Sequence, residues 1–283
     1  MPHFTGQYIT DPELRRRIEA IENLPTLPEV YTKLCTELSK PNPNMHDVAA
    51  IISHDVAISA KLLHMINSAY FGLKTRVESV LQAVNLLGVE TVKGIVLTAS
   101  VYKGEGNAKI PGYSPKEIYD RAVGVGAKSR FIAYSFGLPR NEVDYALTSG
   151  LLHDIGKLVL LTNFTEEFKR VLARSERDSI PMHEAQEMEL GADDAAIGAF
   201  LLETWKLPEK IIDAVAVHYC PSKWGKNQLD SCAAVHIAYA SEQDRLQHHG
   251  GSARSAFDRG LTDKLGLSDQ LASYVGMAPE AVS

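Results

Sequence analysis

A chain of 283 residues with 45% hydrophobic and 23% charged content has the composition of a globular protein, with room for one large domain or two ordinary ones. Its formal charge of −6 gives no support for nucleic-acid binding, and three cysteines without CxxC spacing (Cys35, Cys220, Cys232) argue against a disulfide framework or a thiolate zinc site. The N-terminus, Met-Pro-His-Phe-Thr-Gly, lacks the basic and apolar regions of a leader, and no apolar run approaches membrane-spanning length. The expectation is a cytoplasmic protein with no membrane partner.

Helical patterns dominate, and strand-like alternation is scarce. Asp11-Pro12-Glu13 sets a cap before a proline at the first helical position, predicting a helix to about Ile21. Its Arg15-Arg16-Arg17 run reads as a wet helix face. The prolines of Leu24-Pro25-Thr26-Leu27-Pro28 end that helix, and Val30, Leu34 and Leu38 stripe the next. Asn44 can cap a helix carrying Val48, Ile51 and Ile52; after His54-Asp55, with Asp55 as cap, another holds Ile58, Leu62, Leu63 and Ile66 inward. Gly72 supplies a left-handed stop, Ser79 opens a helix closed by Gly88, and a further helix runs to about Val101. Lys103–Pro115, dense in Gly, Pro and polar residues, reads as a linker. Ser114-Pro115 then opens a long helix to Phe136, and a second runs from about Arg140 into Gly150–Lys157. Helices follow over Thr165–Ser175, Ile180–Leu190, Ala195–Trp205 (capped by Asp193), Glu209–Tyr219 and Leu229–Gln247, with short ones at Asp263–Leu265 and Ser268–Val275. The predicted division is a helical subdomain over 1–103, a linker over 104–115, a second helical subdomain over 116–249, and a tail over 250–283.

The stretch Gly150-Leu-Leu-His-Asp-Ile-Gly-Lys157 organises the rest. His153 and Asp154 interrupt an apolar run that continues through Ile155 and Leu158–Leu161. A carboxylate buried there needs a metal ion, a cationic side chain or hydrogen-bond donors. Lys157 is the plainest cation, while neutral imidazole with carboxylate suits zinc, iron or manganese. His218, at a helix end after Ile211, Ile212, Val215 and Val217, can look into a shared cavity. Asp193 reads as an N-cap, and Asp194 as an inward polar contact as readily as a solvated one. Among the other histidines, His64 reads as a core or interface residue, His3, His248 and His249 as exposed ends, and His183 and His236 fit either reading. No Gly-rich phosphate loop, Ser-His-Asp ordering or HExxH is present.

Leu24–Pro28, Ile51–Asp55, Ala60–Leu63, Asn67-Ser68-Ala69-Tyr70-Phe71-Gly72 and Ala83–Gly88 come first; Gly150–Lys157, Gly198-Ala199, Trp205–Pro208 and His218 follow. Together they resemble the signature of the HDOD family, helical output-domain relatives of the HD phosphohydrolases, over roughly residues 20–240. The resemblance implies an all-α fold: a multi-helix HD-like bundle with an N-terminal helical subdomain packed against it. It also implies a regulatory role in bacterial signal transduction, exercised on signalling proteins or through a small effector such as a nucleotide or cyclic dinucleotide. Metal-binding relatives gather a first His, the His-Asp pair, often further His and a last Asp. At those places this chain offers Arg121, His153-Asp154, Asp194, His218-Tyr219, and His236 or Tyr239. An arginine at a metal site opposes a cation and satisfies Asp154 directly. The leading expectation is therefore a non-catalytic module with a degenerate site and no cofactor, walled by Arg121, Lys157, Asp194, His218, Tyr219 and His236. One rival is a phosphohydrolase acting on a nucleotide or cyclic dinucleotide, with Fe, Mn, Zn or Mg on His153, Asp154, Asp194 and His218. The other is a sensor in which Arg121 and Lys157 bind nucleotide phosphate without turnover.

Overall fold

Local capping chemistry sets out the first half of the chain. In the computed structural model, which describes residues 9, 12–21, 24, 26–102, 110–247 and 257–267, that half holds α1 (Pro12–Glu19), α2 (Glu29–Leu38), α3 (Met45–Ser53), α4 (Val56–Ile66), α5 (Val80–Leu87) and α6 (Val89–Val101). Asn44, Asp55 and Ser79 accept from the backbone N–H of His46, Ile58 and Gln82 and so satisfy donors that α3, α4 and α5 leave open. Gly72 takes the left-handed conformation expected of it, with φ 58°. The arginine run of α1 is neutralised by acids: Arg15 meets Glu19 at 3.0 Å, Arg16 meets Glu13 at 3.0 Å, and Arg17 reaches Glu167 at 2.9 Å. His64 lies on the exposed face of α4 rather than in the core. Asp11, Pro25, most of the predicted linker (103–109), His3, His248, His249 and the predicted helix Ser268–Val275 lie outside the described residues.

The second half begins with α7 (Pro115–Ser135), opened by a full capping box between Ser114 and Glu117 with proline at the first position. It continues through α8 (Arg140–Leu152), α9 (Ile155–Asn163), α10 (Thr165–Asp178), α11 (Met182–Leu190), α12 (Asp194–Thr204), α13 (Glu209–Val217), α14 (Ser231–Gln247) and α15 (Arg259–Lys264). Among the described residues no strand forms; a single isolated bridge joins Ile110 and Tyr113. The α10 helix runs past its expected end at Ser175, stopping where Ser179 adopts φ 51°. Helices α7 and α8 cross at bare backbone, since a Cβ on Gly150 would sit 2.7 Å from the Cα of Gly126.

Three apolar clusters hold these helices. One gathers α9–α13 with Leu14 and Ile18 of α1. A second joins α2–α6 to Val123, Ala127, Leu147 and Leu151, which seats the N-terminal helices on α7 and α8. The third fills the space among α7, α8 and α14. No single helix among the described residues is long and apolar enough to cross a membrane.

Candidate functional site

The apolar run around His153 is two helices, not one. Helix α8 stops at Leu152 and α9 starts at Ile155, leaving His153 and Asp154 in the turn between them. Gly156 explains where α9 can go. A Cβ there would lie 1.9 Å from the carbonyl oxygen of Asp194 and 2.7 Å from the nitrogen of Gly198. Only glycine lets the start of α9 press onto the first turns of α12, and this contact brings Asp154 and Lys157 up to Asp194.

His153, Asp154, Lys157, Asp194 and His218 are all buried. The Lys157 ammonium lies 2.5 Å from Asp154 Oδ1 and 3.6 Å from Asp194 Oδ2. Arg121 Nε approaches Asp154 Oδ2 at 3.9 Å, and the Tyr219 hydroxyl donates to Asp194 Oδ1 at 2.9 Å. His153 Nδ1 lies 2.7 Å from the Gly150 carbonyl, and His218 Nδ1 lies 2.7 Å from that of Val215. A carbonyl only accepts, so each Nδ1 carries the proton and each Nε2 presents a lone pair. The two imidazoles meet edge to face at 5.2 Å, and Tyr239 contacts both rings. His183 stacks on Tyr219 from the other side, ring centres 4.4 Å apart.

The charges follow from this packing. Burial holds His153 and His218 below the ordinary histidine value, so both are neutral at pH 7. Burial alone would raise Asp154, but neighbouring His153, Lys157 and Arg121 outweigh it and keep the carboxyl well below its usual range. With His153 neutral, the compensation at pH 7 comes from the lysine and the arginine. Burial likewise disfavours the Lys157 cation, yet Asp154 and Asp194 more than restore it. Beside the cluster, Asp193 caps α12 through Ala196 N–H at 2.8 Å, as expected from the sequence. Burial and the adjacent Asp194 push it up to about 7. A raised folded pKa contributes stability that is fully present below about pH 4 and lost as pH rises through about 7. Asp193→Asn keeps the cap acceptor. It should melt above the wild type at pH 8, by up to about 2 kcal/mol, and lose that advantage near pH 4 in parallel thermal melts.

Whether these residues suit a metal turns on the two cations. Nε2 lone pairs oriented by carbonyl-bound Nδ1 atoms are what zinc or iron takes from histidine. The two carboxylates, however, are already matched by one ammonium and one guanidinium, and the ammonium stands between them. A divalent ion would have to displace Lys157 and would then face Arg121. Among the described residues, no group of three or more His, Cys, Asp or Glu is arranged to hold a metal. The residues as placed do not fit one.

His236 sits behind the site rather than in its wall. Its Nδ1 donates to the His218 carbonyl at 2.8 Å, and its Nε2 accepts from Asp258 N–H at 2.9 Å, which uses both nitrogens. The residue of α14 that faces the cluster is Tyr239. Sequence reasoning missed Tyr102 and Gln186. Gln186 accepts from Asp194 N–H at 2.9 Å. Several buried atoms here have no hydrogen-bond partner: Tyr102 Oη, Gln186 Nε2, Asp194 Oδ2, His218 Nε2, and Nε and Nη2 of Arg121.

The HDOD domain profile matches residues 24–221. The chain belongs to the HDOD family. A protein of Treponema pallidum is 26% identical over 207 residues, covering 71% of this chain and 38% of that protein, so the chain spans well under half the length of this curated relative. Among solved structures, an HDOD domain protein from Geobacter sulfurreducens superposes with a TM-score of 0.70 at 22% identity, over 95% of this chain and 87% of that one. A candidate phosphohydrolase from Shewanella amazonensis gives 0.69 at 22% identity, over 96% and 97%. A candidate signal transduction protein from Marinobacter aquaeolei gives 0.66 at 21% identity, over 93% of this chain and 62% of that one. At such identities these likenesses establish the HDOD fold.

Proposed function

We propose that this HDOD chain is a non-catalytic regulatory module of signal transduction, acting through contacts with signalling proteins or a small bound effector. One observation carries the reading: the Lys157 ammonium lies between Asp154 and Asp194, with Arg121 on the far side of Asp154. Metal-assisted hydrolysis needs several ligands and an open position for an activated water. Fixed cations stand here instead, and they turn the His-Asp pair into a self-neutralised polar core.

Metal content of the purified full chain, reloaded with Fe, Mn, Zn or Mg, tests this alongside a turnover screen of nucleotides and cyclic dinucleotides. The expected result is far less than one metal equivalent and no turnover. Stoichiometric metal lost in His153→Ala and Asp154→Ala, together with hydrolysis, would establish the phosphohydrolase rival. A companion prediction concerns the lysine. Lys157→Met should bind zinc or manganese measurably where the wild type does not, because it frees two carboxylates beside two imidazole lone pairs. Equal metal content in the two proteins would remove the lysine from the argument.

A nucleotide sensor is the second reading, favoured by Arg121. Its side chain is 24% exposed, and its buried Nε and Nη2 have no hydrogen-bond partner. Saturable nucleotide binding without turnover, abolished in Arg121→Ala, would select it.

A further inference from the structure

Two signature segments that the buried cluster leaves unused, Asn67–Gly72 and Ala83–Gly88, meet the outer side of α7 and α8. Asn67 fixes the first by bonding the Leu63 carbonyl and both backbone groups of Val77, each at 2.8 Å. That bracing presents Tyr70 and Phe71 to α7. Tyr70 lies over Gly124, where a Cβ would be 3.5 Å from its hydroxyl, and the Phe71 ring carries the Arg130 guanidinium at 5.9 Å. From the second segment, the Leu87 carbonyl accepts from Arg140 Nη2. Gly88 leaves room for that nitrogen, since a Cβ there would approach it to 3.0 Å.

Arg130 is half-buried, and its Nε has no acceptor. Among the described residues no carboxylate forms an ion pair with it. Asp144, the carboxylate that acts on it most strongly, is already shared: Oδ1 accepts from the Thr91 hydroxyl at 2.8 Å, and Oδ2 lies 3.3 Å from Arg140 Nε. Two guanidiniums thus stand over one spent carboxylate, a positive spot on a chain of charge −6. A guanidinium that has lost water without gaining an anion is unfavourable, and its fork matches a carboxylate. Beside it stand Tyr134, one turn along α7 and 74% exposed, and Tyr70, 40% exposed. Large aromatics beside an arginine are the composition of a protein-binding surface.

We propose that Arg130 and Arg140, floored by Phe71 and flanked by Tyr70 and Tyr134, dock an acidic segment of a protein partner, with one Asp or Glu carboxylate on Arg130. This rests on the reading that the module acts through protein contacts, but it is independent of the state of the His153-Asp154 cluster.

The test is fluorescence anisotropy of the full chain with a labelled peptide of repeated Glu-Glu-Leu, against a Gln-Gln-Leu control. The expected result is saturable, salt-sensitive binding of the acidic peptide alone, weakened about tenfold in Arg130→Met, as for loss of one charge-assisted hydrogen bond, and partly kept in Arg130→Lys. Because no carboxylate among the described residues forms an ion pair with Arg130, and methionine can keep the apolar contact with Phe71, Arg130→Met should melt at or above the wild-type temperature, so the loss cannot be unfolding. Equal binding by Arg130→Met, equal binding of the control, or no saturable binding overturns the proposal. So does saturable binding of inorganic phosphate, lost in Arg130→Met, by a surface that ignores the peptide. Concentration-dependent dimerisation lost in Arg130→Met would assign the surface to a second copy of the chain and also overturn it. Metal uptake by the wild type would sink the non-catalytic reading and leave this result standing.

Discussion

Gly156→Ala should leave the chain unfolded or barely folded at ordinary temperature. The added Cβ would sit 1.9 Å from the Asp194 carbonyl oxygen and 2.9 Å from its carbonyl carbon. These are backbone atoms, so no rotamer change relieves the overlap. The start of α9 must lift from α12 by more than an ordinary core overpacking requires, and ordinary overpacking already costs about 1–3 kcal/mol. Lifting α9 also pulls the Lys157 ammonium from Asp194. The total should exceed about 4–5 kcal/mol, a large part of the stability of a typical domain. Urea and thermal melts followed by circular dichroism decide the matter. A wild-type midpoint would mean that α9 does not lie against α12.

Asp154→Ala should cost about 3–5 kcal/mol, because it leaves buried cations without their main counter-ion. Lys157 would keep only its 3.6 Å contact with Asp194, and Arg121 would lose its carboxylate. The pH dependence has a definite sign. A depressed folded pKa contributes stability present above the unfolded value, near pH 4, and lost as pH falls through the folded one. The deficit of Asp154→Asn relative to wild type should therefore hold steady from about pH 5 upward and shrink below about pH 4. Asp154→Leu combined with Lys157→Met should be more stable than either single variant, since the pair leaves together. Additive losses in that cycle would show that lysine and aspartate do not depend on each other.

Much of the fold could be read from the sequence because its signals are local. Asn44, Asp55, Ser79 and Ser114 cap the helices they precede, and Gly72 takes its left-handed turn at φ 58°. The His-Asp pair was conspicuous because a carboxylate in an apolar run demands a partner, and Lys157 was within one helical turn of it. What stayed hidden depends on contacts between distant helices. No proline marks the break at His153-Asp154, and the direction α9 takes after it depends on Gly156 meeting α12. Helix α14 is buried on nearly every described side, so an apolar stripe could not tell whether His236 or Tyr239 faced the cluster. Tyr102, at the end of α6, and Gln186, on α11, reach the cluster only through tertiary packing and carry no motif.

The two hydrogen bonds of His236 have a mechanical consequence. One end of its ring holds the His218 carbonyl and the other holds the Asp258 backbone, while the Asp258 side chain accepts from the backbone and hydroxyl of Ser222, both at 2.8 Å. The imidazole is a rigid strut between the cap of α15 and the residue whose lone pair faces the buried cluster. A pull on α15 must therefore either break that strut or drag His218 with it, which ties the cap of α15 to the wall of the buried cluster.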